Sequence, residues 1–258
     1  MSAVSGYRTL AWKEIRESAA TSRLIIALAV FALAGFGAVV VTYYLPELVR
    51  NQAGSGISIT VPRQTAVDAI MEYVKSVTQL PALAVILLAM GSVADERASG
   101  IADTILYRPV SRPAYLLAKV TGHGLCVLAG LIVGGLAALA YITMLFHPIG
   151  VGPFAVLNLG IAMLMLDILT ITLMASAHLR SGLAAGGAAF VGYLLFTVVP
   201  GFWPPLADSL PTAVTSHASG LMAGSWGGLA VWQAIGGGAG LALLCLLVAL
   251  AGVARRGS

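Results

Sequence analysis

The sequence has very little charge for its length. Only 9% of its 258 residues are Asp, Glu, Lys or Arg and 59% are apolar, whereas soluble domains usually carry about 25% charged residues. A soluble fold of this length could not bury so much apolar surface in one core. A bilayer removes the difficulty because lipid replaces water around the apolar side chains. The composition therefore predicts an integral membrane protein.

Cysteine and histidine are scarce, which limits the chemistry that the chain can carry. Cys126 and Cys245 lie in apolar runs far apart in sequence, a pattern that indicates neither a disulfide framework nor a cysteine-based metal site. The four histidines form no His-Glu-x-x-His or Glu-x-x-His pair, so a metalloenzyme is not favoured. No Gly-x-Ser-x-Gly elbow supports the alternative of an intramembrane hydrolase using Ser176 or Ser225. We expect no catalytic residue and no metal site.

Long apolar runs are what the sequence does have. Six of them, at about 24–44, 78–93, 115–146, 153–178, 183–199 and 229–253, predict an all-α protein with six transmembrane helices. The second run is short, but its helix can begin near Ala66, with Pro81 as a kink. The third is long, so we place its first turns, around Tyr115 to Lys119, at the membrane interface. Gly130/Gly134 and Gly182/Gly186 suit close helix packing or a dimer contact.

The net charge of +4 reflects membrane topology and not nucleic-acid binding, because the basic residues do not cluster on one soluble face. With the N-terminus inside, the cytoplasmic set is Arg8, Lys13, Arg16, Arg23, Arg97, Arg108, Arg112, Lys119, Arg180, Arg255 and Arg256, and the outer set is Arg50, Arg63 and Lys75. This strong positive-inside bias predicts two cytoplasmic termini. The charged first twenty residues also indicate no cleaved signal peptide.

The segment between the fifth and sixth runs is apolar yet cannot form one continuous helix. Four prolines, Pro200, Pro204, Pro205 and Pro211, interrupt it, while Phe202, Trp203 and Trp226 keep it apolar. It predicts short external helices, interfacial or re-entrant, with the tryptophans at headgroup level. The alternative is a loop that rests on the membrane.

The connection between the second and third runs predicts a short amphipathic helix, at 95–108. Ala98, Ile101, Ala102, Ile105 and Leu106 recur on one helical face. Pro109 ends the helix, and Ser111 can cap the next one. Such a helix, held between two spans, is placed to transmit movement. Periodicity alone does not decide between this role and that of a connector lying flat on the headgroups.

The same connection carries a resemblance to a known family. Its residues 96–100, 106–112 and 117–119 read ERASG, LYRPVSR and LAK, and they resemble the first cytoplasmic loop of ABC-2 type transporter permeases. Gly122-His123-Gly124 resembles the permeases of copper-enzyme maturation operons, of the nitrous oxide reductase type. Ile101 departs from the family's frequent Gly-Thr step. Residues 5–20 are similar to the family's amphipathic elbow helix, although Glu14 falls on the apolar side.

The resemblance implies that residues 1–258 form one transmembrane domain, half of an exporter-like transporter in the inner (plasma) membrane. The chain has no Gly-x4-Gly-Lys-Ser/Thr loop, so ATP and Mg would be bound by a separate ABC ATPase. A second permease copy, identical or a close paralogue, would complete the transporter. Contacts with the ATPase would come from the coupling helix and elbow, through Glu96, Arg97, Gly100, Asp103, Tyr107, Pro109, Arg112, Lys13 and Arg16. An alternative is that no solute crosses and the complex acts mechanically on a periplasmic maturation partner.

One acidic residue falls near the middle of the fourth run. Asp167, with Thr170 on the same helical face, is a candidate for the lining of a translocation path, because ionisable residues inside membranes usually face water or the bundle interior. The alternative is a hydrogen-bonded acid that holds two helices together. Methionines such as Met163 could bind Cu(I), but their spacing favours packing residues.

Overall fold

The computed structural model describes residues 3–52, 63–99 and 111–255, and every regular element within these ranges is helical. The elements are α1 (Ala3–Ala20), α2 (Ser22–Gln52), α3 (Ala66–Ala89), α4 (Gly91–Ala98), α5 (Arg112–Leu145), α6 (Val151–His178), α7 (Gly182–Val198), a 3-10 turn (Val199–Phe202), α8 (Pro204–Ala207), α9 (Thr212–Ser216), α10 (Ala218–Met222) and α11 (Leu229–Arg255). The predicted all-α fold class is confirmed.

Six helices are long and apolar enough to cross a membrane. They cover Ser22–Val49, Ala66–Ala98, Arg112–Leu145, Val151–His178, Gly182–Phe202 and Leu229–Ala254. The predicted number of spans is therefore confirmed.

Helix α3 extends well before the apolar run that marks it in the sequence. Its first turn is stabilised by a capping box, in which the Thr65 hydroxyl accepts from the Asp68 N–H and the Asp68 carboxylate accepts from the Thr65 N–H. Pro81 lies within the helix. Hydropathy alone places the start of this span near residue 78, because polar residues such as Asp68, Glu72 and Lys75 alternate with the buried apolar ones in its first turns.

Glycines on α5 allow α2 to lie directly against it. A side chain at Gly130 would meet the Phe31 ring 2.7 Å away, and one at Gly134 would overlap the Phe31 carbonyl. Gly35 on α2 faces the Gly134 carbonyl in the same way. Gly130 and Gly134 were predicted to allow close helix packing, and here they allow it between two helices of the same chain.

Helix α6 lies at the centre of the bundle, in contact with α3, α5, α7 and α11. The short helices after α7 fold back over one end of it. Val214 of α9 packs at Gly160, where an added Cβ would lie 2.5 Å from the Val214 side chain. The rings of His217 and Trp226 stack with centroids 4.9 Å apart. Short helices between the fifth and sixth spans were predicted and are confirmed.

Candidate functional site: a charged cluster joining α1, α4 and α5

A buried lysine joins three helices at the opposite end of the bundle from these short helices. The Lys119 ammonium on α5 lies 2.7 Å from a Glu96 carboxylate oxygen on α4 and 3.4 Å from one of Glu14 on α1. The Lys119 side chain is only 1% exposed and that of Glu14 only 5%. These three residues form the centre of the Lys119 cluster. The first turns of α5, which hold Tyr115 and Lys119, contact α1 and α4.

Glu96 uses both carboxylate oxygens inside this cluster. One oxygen pairs with Lys119, and the other accepts a 2.6 Å hydrogen bond from the Tyr115 hydroxyl. The Lys119 ammonium also lies 5.1 Å from the centre of the Tyr115 ring, within the range of a cation–π contact. The carboxylate is therefore held in one orientation, because all its neighbours are charged or donate a hydrogen bond.

An outer layer of charges surrounds the cluster. The Lys13 ammonium lies 3.5 Å from Glu14, 3.3 Å from Glu17 and 3.9 Å from Glu96. Burial would lower the pKa of Lys13, but the carboxylates of Glu14, Glu96 and Glu17 outweigh it and hold that pKa above its ordinary value. Arg23 at the start of α2 pairs with Glu17 at 3.7 Å. The ion pairs thus extend to a fourth helix.

The close approach of α1 to α5 depends on Gly122. A Cβ at this position would lie 2.7 Å from the Glu14 Cβ, so any side chain would push α1 away. Near the other end of α1, the Tyr7 hydroxyl shares a 2.8 Å hydrogen bond with that of Thr121. The neighbouring His123 is buried and its Nδ1 lies 3.0 Å from the Lys119 carbonyl oxygen. The Gly-His-Gly motif therefore has a packing role here.

A second set of contacts ties α4 to α6. The Ser176 hydroxyl oxygen accepts from the N–H groups of Val93 and Ala94, at 3.2 and 3.0 Å, and its proton goes to the Met90 carbonyl at 2.7 Å. Ser176 thereby provides a hydrogen-bond acceptor for two backbone N–H groups near the start of α4, where the first turn of a helix provides none. The Arg97 guanidinium donates to the Ala177 carbonyl at 2.6 Å. The Ser176 hydroxyl thus joins the end of α6 to the start of α4.

A third contact ties α4 to the start of α7. The Gly182 N–H donates to an Asp95 carboxylate oxygen at 2.9 Å, and a side chain at Gly182 would meet that carboxylate. Gly186 one turn later lies against Met90. Helix α4 is consequently held on one side by α1 and α5, and on the other by α6 and α7.

The structure brings some of the predicted site residues together and leaves others apart. Lys13 and Glu96 belong to the cluster, and Arg97 binds the end of α6. Arg16 and Arg112 are exposed on α1 and at the start of α5. The remaining predicted ATPase contacts, Gly100, Asp103, Tyr107 and Pro109, lie outside the described residues, as does most of the predicted coupling helix at 95–108.

Asp167 lies in the contact between α6 and α11, away from the charged cluster. It is completely buried, and within the described part of the chain neither carboxyl oxygen has a hydrogen-bond partner. The Thr170 hydroxyl donates to the Asp167 main-chain carbonyl at 3.0 Å. Over the same ranges, no three His, Cys, Asp or Glu side chains group as metal ligands.

Sequence reasoning missed the importance of Glu14, Lys119 and Tyr115. Glu14 looked like a flaw in the apolar face of α1, whereas its carboxylate faces the buried lysine of another helix. The available signal was a pair of misplaced charges, an acid on the apolar face of one helix and a lysine inside the apolar run of another.

These features define a multi-pass membrane protein whose charged side chains join the helices at one end of the bundle. The family model described as ABC-2 family transporter protein matches residues 8–222. The chain therefore belongs to the ABC-2 family of transporter proteins, and it is a permease subunit of an ABC transporter. Permeases of this family work with a separate ATPase subunit, so the predicted resemblance is confirmed at the level of the family.

One relative is also named as a transmembrane protein. The chain is similar to this protein, YxlG from Bacillus subtilis (strain 168). The two are 28% identical over 187 residues, which cover 70% of each chain.

Proposed function

We propose that this permease couples ATP hydrolysis by its ATPase partner to export. In this proposal α4 receives the movement of the ATPase, and the Lys119 cluster transmits it to the other helices. The observation that carries the proposal is the double attachment of α4, to α1 and α5 through Glu96 and to α6 and α7 through Ser176, Arg97 and Asp95. Helix α4 includes the first residues of the predicted coupling helix at 95–108, which would contact the ATPase. A displacement there would move four helices together.

Within this proposal the predicted contact residues have different tasks. The exposed Arg16 and Arg112, with Gly100, Asp103, Tyr107 and Pro109, would meet the ATPase surface. Glu96 and Lys13 would act as positioning residues, because their charges are already paired inside the permease. Closure of the ATPase dimer would push the coupling segment, and the buried ion pairs would pass that push to α1 and α5.

We also propose the setting in which this happens. The end of the bundle with the Lys119 cluster would be cytoplasmic, as would both termini, because the basic residues gather there. The membrane would be the plasma membrane. A second permease copy would complete the transporter, so that each copy presents one coupling segment to an ATPase dimer.

The second candidate is force transmission to a periplasmic partner without transport of a solute. The short-helix end supports this candidate, because Phe202 and Trp203 are 84% and 63% exposed there, next to Pro204. The Gly-His-Gly resemblance to copper-enzyme maturation permeases has less weight, because Gly122 is explained by packing against Glu14. The hydrolase alternative is not supported, since the hydroxyls of Ser176 and Ser225 both donate to backbone carbonyls.

The proposal is tested by purifying the chain in mild detergent and identifying its partners. We expect an ABC ATPase to copurify and its ATP hydrolysis to be faster in the complex than alone. Glu96→Gln should preserve ATPase binding and reduce this stimulation by roughly tenfold, because it removes the charge that a buried pair needs. Glu72→Gln, a change at a partly exposed acid on α3, is the matched control.

Absence of any ATPase from the purified material would contradict the transporter role. Full stimulation in the Glu96→Gln complex would contradict the coupling role of the cluster. Glu96→Asp, which keeps the charge, should recover part of the stimulation if the variant is correctly folded.

A further inference from the structure

A cavity of about 460 Å³ lies beside the Lys119 cluster, at the same end of the bundle. Five helices, α1 to α5, contribute to its lining, which includes Glu17, Arg23, Glu96 and Lys119. Arg23 lies where the first span begins and Glu96 where the second ends, so the cavity lies at the boundary of the membrane. Its volume is within the ~300–1,000 Å³ typical of ligand sites. We name it the boundary cavity.

Arg23, on the α2 side of the boundary cavity, has hydrogen-bond donors left for a ligand. Among the described residues its acidic neighbour is Glu17, at 3.7 Å, which is longer than an N–H···O hydrogen bond. A guanidinium carries five N–H donors in a planar fork that fits the oxygens of a phosphate. A phosphate group inside the cavity could therefore accept hydrogen bonds from Arg23.

Asp95, on the α4 side, is an acid without a cation. Its side chain is exposed, and one of its oxygens accepts from the Gly182 N–H at 2.9 Å. Within the described ranges no Lys or Arg pairs with it. Glu96 and Lys119, in contrast, are already paired with each other at 2.7 Å. The lining of the cavity thus has one cation and one anion that can still bind groups of opposite charge.

The rest of the lining is apolar and continues onto the exposed side of α3. Leu87 lines the cavity and is also 64% exposed, so the cavity opens beside it. Leu83 and Leu80, one and two turns earlier on the same face, are 39% and 60% exposed. We call these three residues the leucine stripe. It lies within the second span, so an apolar chain that follows it stays in the hydrocarbon layer.

We propose that the boundary cavity binds the headgroup of a phospholipid with a primary amine, such as phosphatidylethanolamine. Its phosphate accepts from Arg23, its ammonium donates to Asp95, and one acyl chain follows the leucine stripe. The headgroup has to be zwitterionic, because an anionic headgroup without an amine leaves Asp95 unpaired. It has to be a primary amine, because the quaternary ammonium of phosphatidylcholine has no N–H to donate. This inference goes beyond the permease role and does not depend on it.

The test compares lipids that share their acyl chains and differ in the headgroup. The purified full-length chain is delipidated in detergent and titrated with phosphatidylethanolamine, phosphatidylcholine or phosphatidylglycerol, and bound lipid is counted by native mass spectrometry. We expect phosphatidylethanolamine to bind roughly tenfold more tightly than the other two, as one additional charge-assisted hydrogen bond allows. Free phosphoethanolamine has both charges but no acyl chain and should compete only weakly. Equally tight binding of this soluble compound would overturn the assignment to a lipid.

Two variants test the two charges separately. Arg23→Gln and Asp95→Asn should each weaken binding of phosphatidylethanolamine by roughly tenfold. Asp95→Asn keeps an oxygen that can accept from the Gly182 N–H, so its fold should be preserved, and an unchanged melting temperature verifies this. Arg180→Gln, a change at an exposed arginine outside the lining of the cavity, is the matched control and should leave binding unchanged.

Equal affinity for the three lipids would overturn the proposal, and so would wild-type affinity in the folded Asp95→Asn variant. Because no ATPase is present in this assay, its outcome is separate from the copurification that tests the permease role.

Discussion

At the scale of single residues, the chain uses buried charges to orient helices. Lys119 is almost completely buried and is satisfied by two carboxylates from two other helices. Removing charges from water costs several kcal/mol per ion, so such a cluster adds little net stability when intact. Its value lies in fixing the position of α1 and α4, because any displacement would leave a charge unpaired.

Replacement of Lys119 should therefore strongly destabilise the folded protein. Lys119→Met keeps the length of the side chain but removes the buried cation between Glu14 and Glu96, leaving them the more exposed Lys13 at 3.5 and 3.9 Å. We expect a loss of about 3–5 kcal/mol in unfolding free energy. Thermal unfolding of the detergent-solubilised protein measures it. Lys75→Met, which removes an exposed lysine 3.5 Å from Glu72, should cost no more than about 1 kcal/mol. Equal melting temperatures for the two variants would refute the role of the cluster.

At the scale of elements, α4 continues the same span as α3 and is held by several neighbours. Met90, the one residue between the two helices, has a helical backbone. Ser176 binds three backbone groups at the start of α4, and Glu96 and Arg97 bind other helices near its end. These contacts make α4 a link between α3 and the helices α1, α5, α6 and α7.

Loss of the Ser176 hydroxyl should loosen α4 specifically. Ser176→Ala leaves two N–H groups and one carbonyl without their partner, and we expect a cost of roughly 1–3 kcal/mol. Hydrogen exchange should become faster in peptides covering residues 90–99 and remain unchanged at the short-helix end. Ser225→Ala, which removes only a local hydroxyl bond to Gly220, is the control. Unchanged protection of residues 90–99 in Ser176→Ala would show that α4 is held by other contacts.

At the scale of the whole molecule, the two ends of the bundle differ in chemistry. One end carries the Lys119 cluster, and the other carries short helices with exposed aromatic side chains. Such asymmetry suits a subunit that receives a push on one side of the membrane and responds on the other. An even number of spans also places both termini at the same end as the cluster.

Cysteine labelling can determine which end faces the cytoplasm. Cys126 and Cys245 are buried, so they should contribute little background. With a membrane-impermeant maleimide on intact cells, we expect labelling at Asp208→Cys and none at Ser99→Cys until the cells are permeabilised. The reverse pattern would show that the bundle has the opposite orientation.

Membrane architecture was predictable from the chain alone, because apolar run length and the distribution of Lys and Arg are properties of local sequence. Six spans, the short helices around Pro200 to Pro211 and the family resemblance all came from such local patterns. The start of α3 near Ala66 was also predicted, whereas the capping box of Thr65 and Asp68 that stabilises it was not.

The pairing of charges could be decided only by tertiary packing. Glu14 and Lys119 are 105 positions apart, and Ser176 meets Val93 across 83. Nothing in their local sequence says which partner each will meet, because that depends on the glycines at 122, 130 and 134 letting helices approach. For the same reason, the sequence placed Asp167 inside an apolar run, but only the packing of α6 against α11 left its carboxyl buried without a hydrogen-bond partner among the described residues.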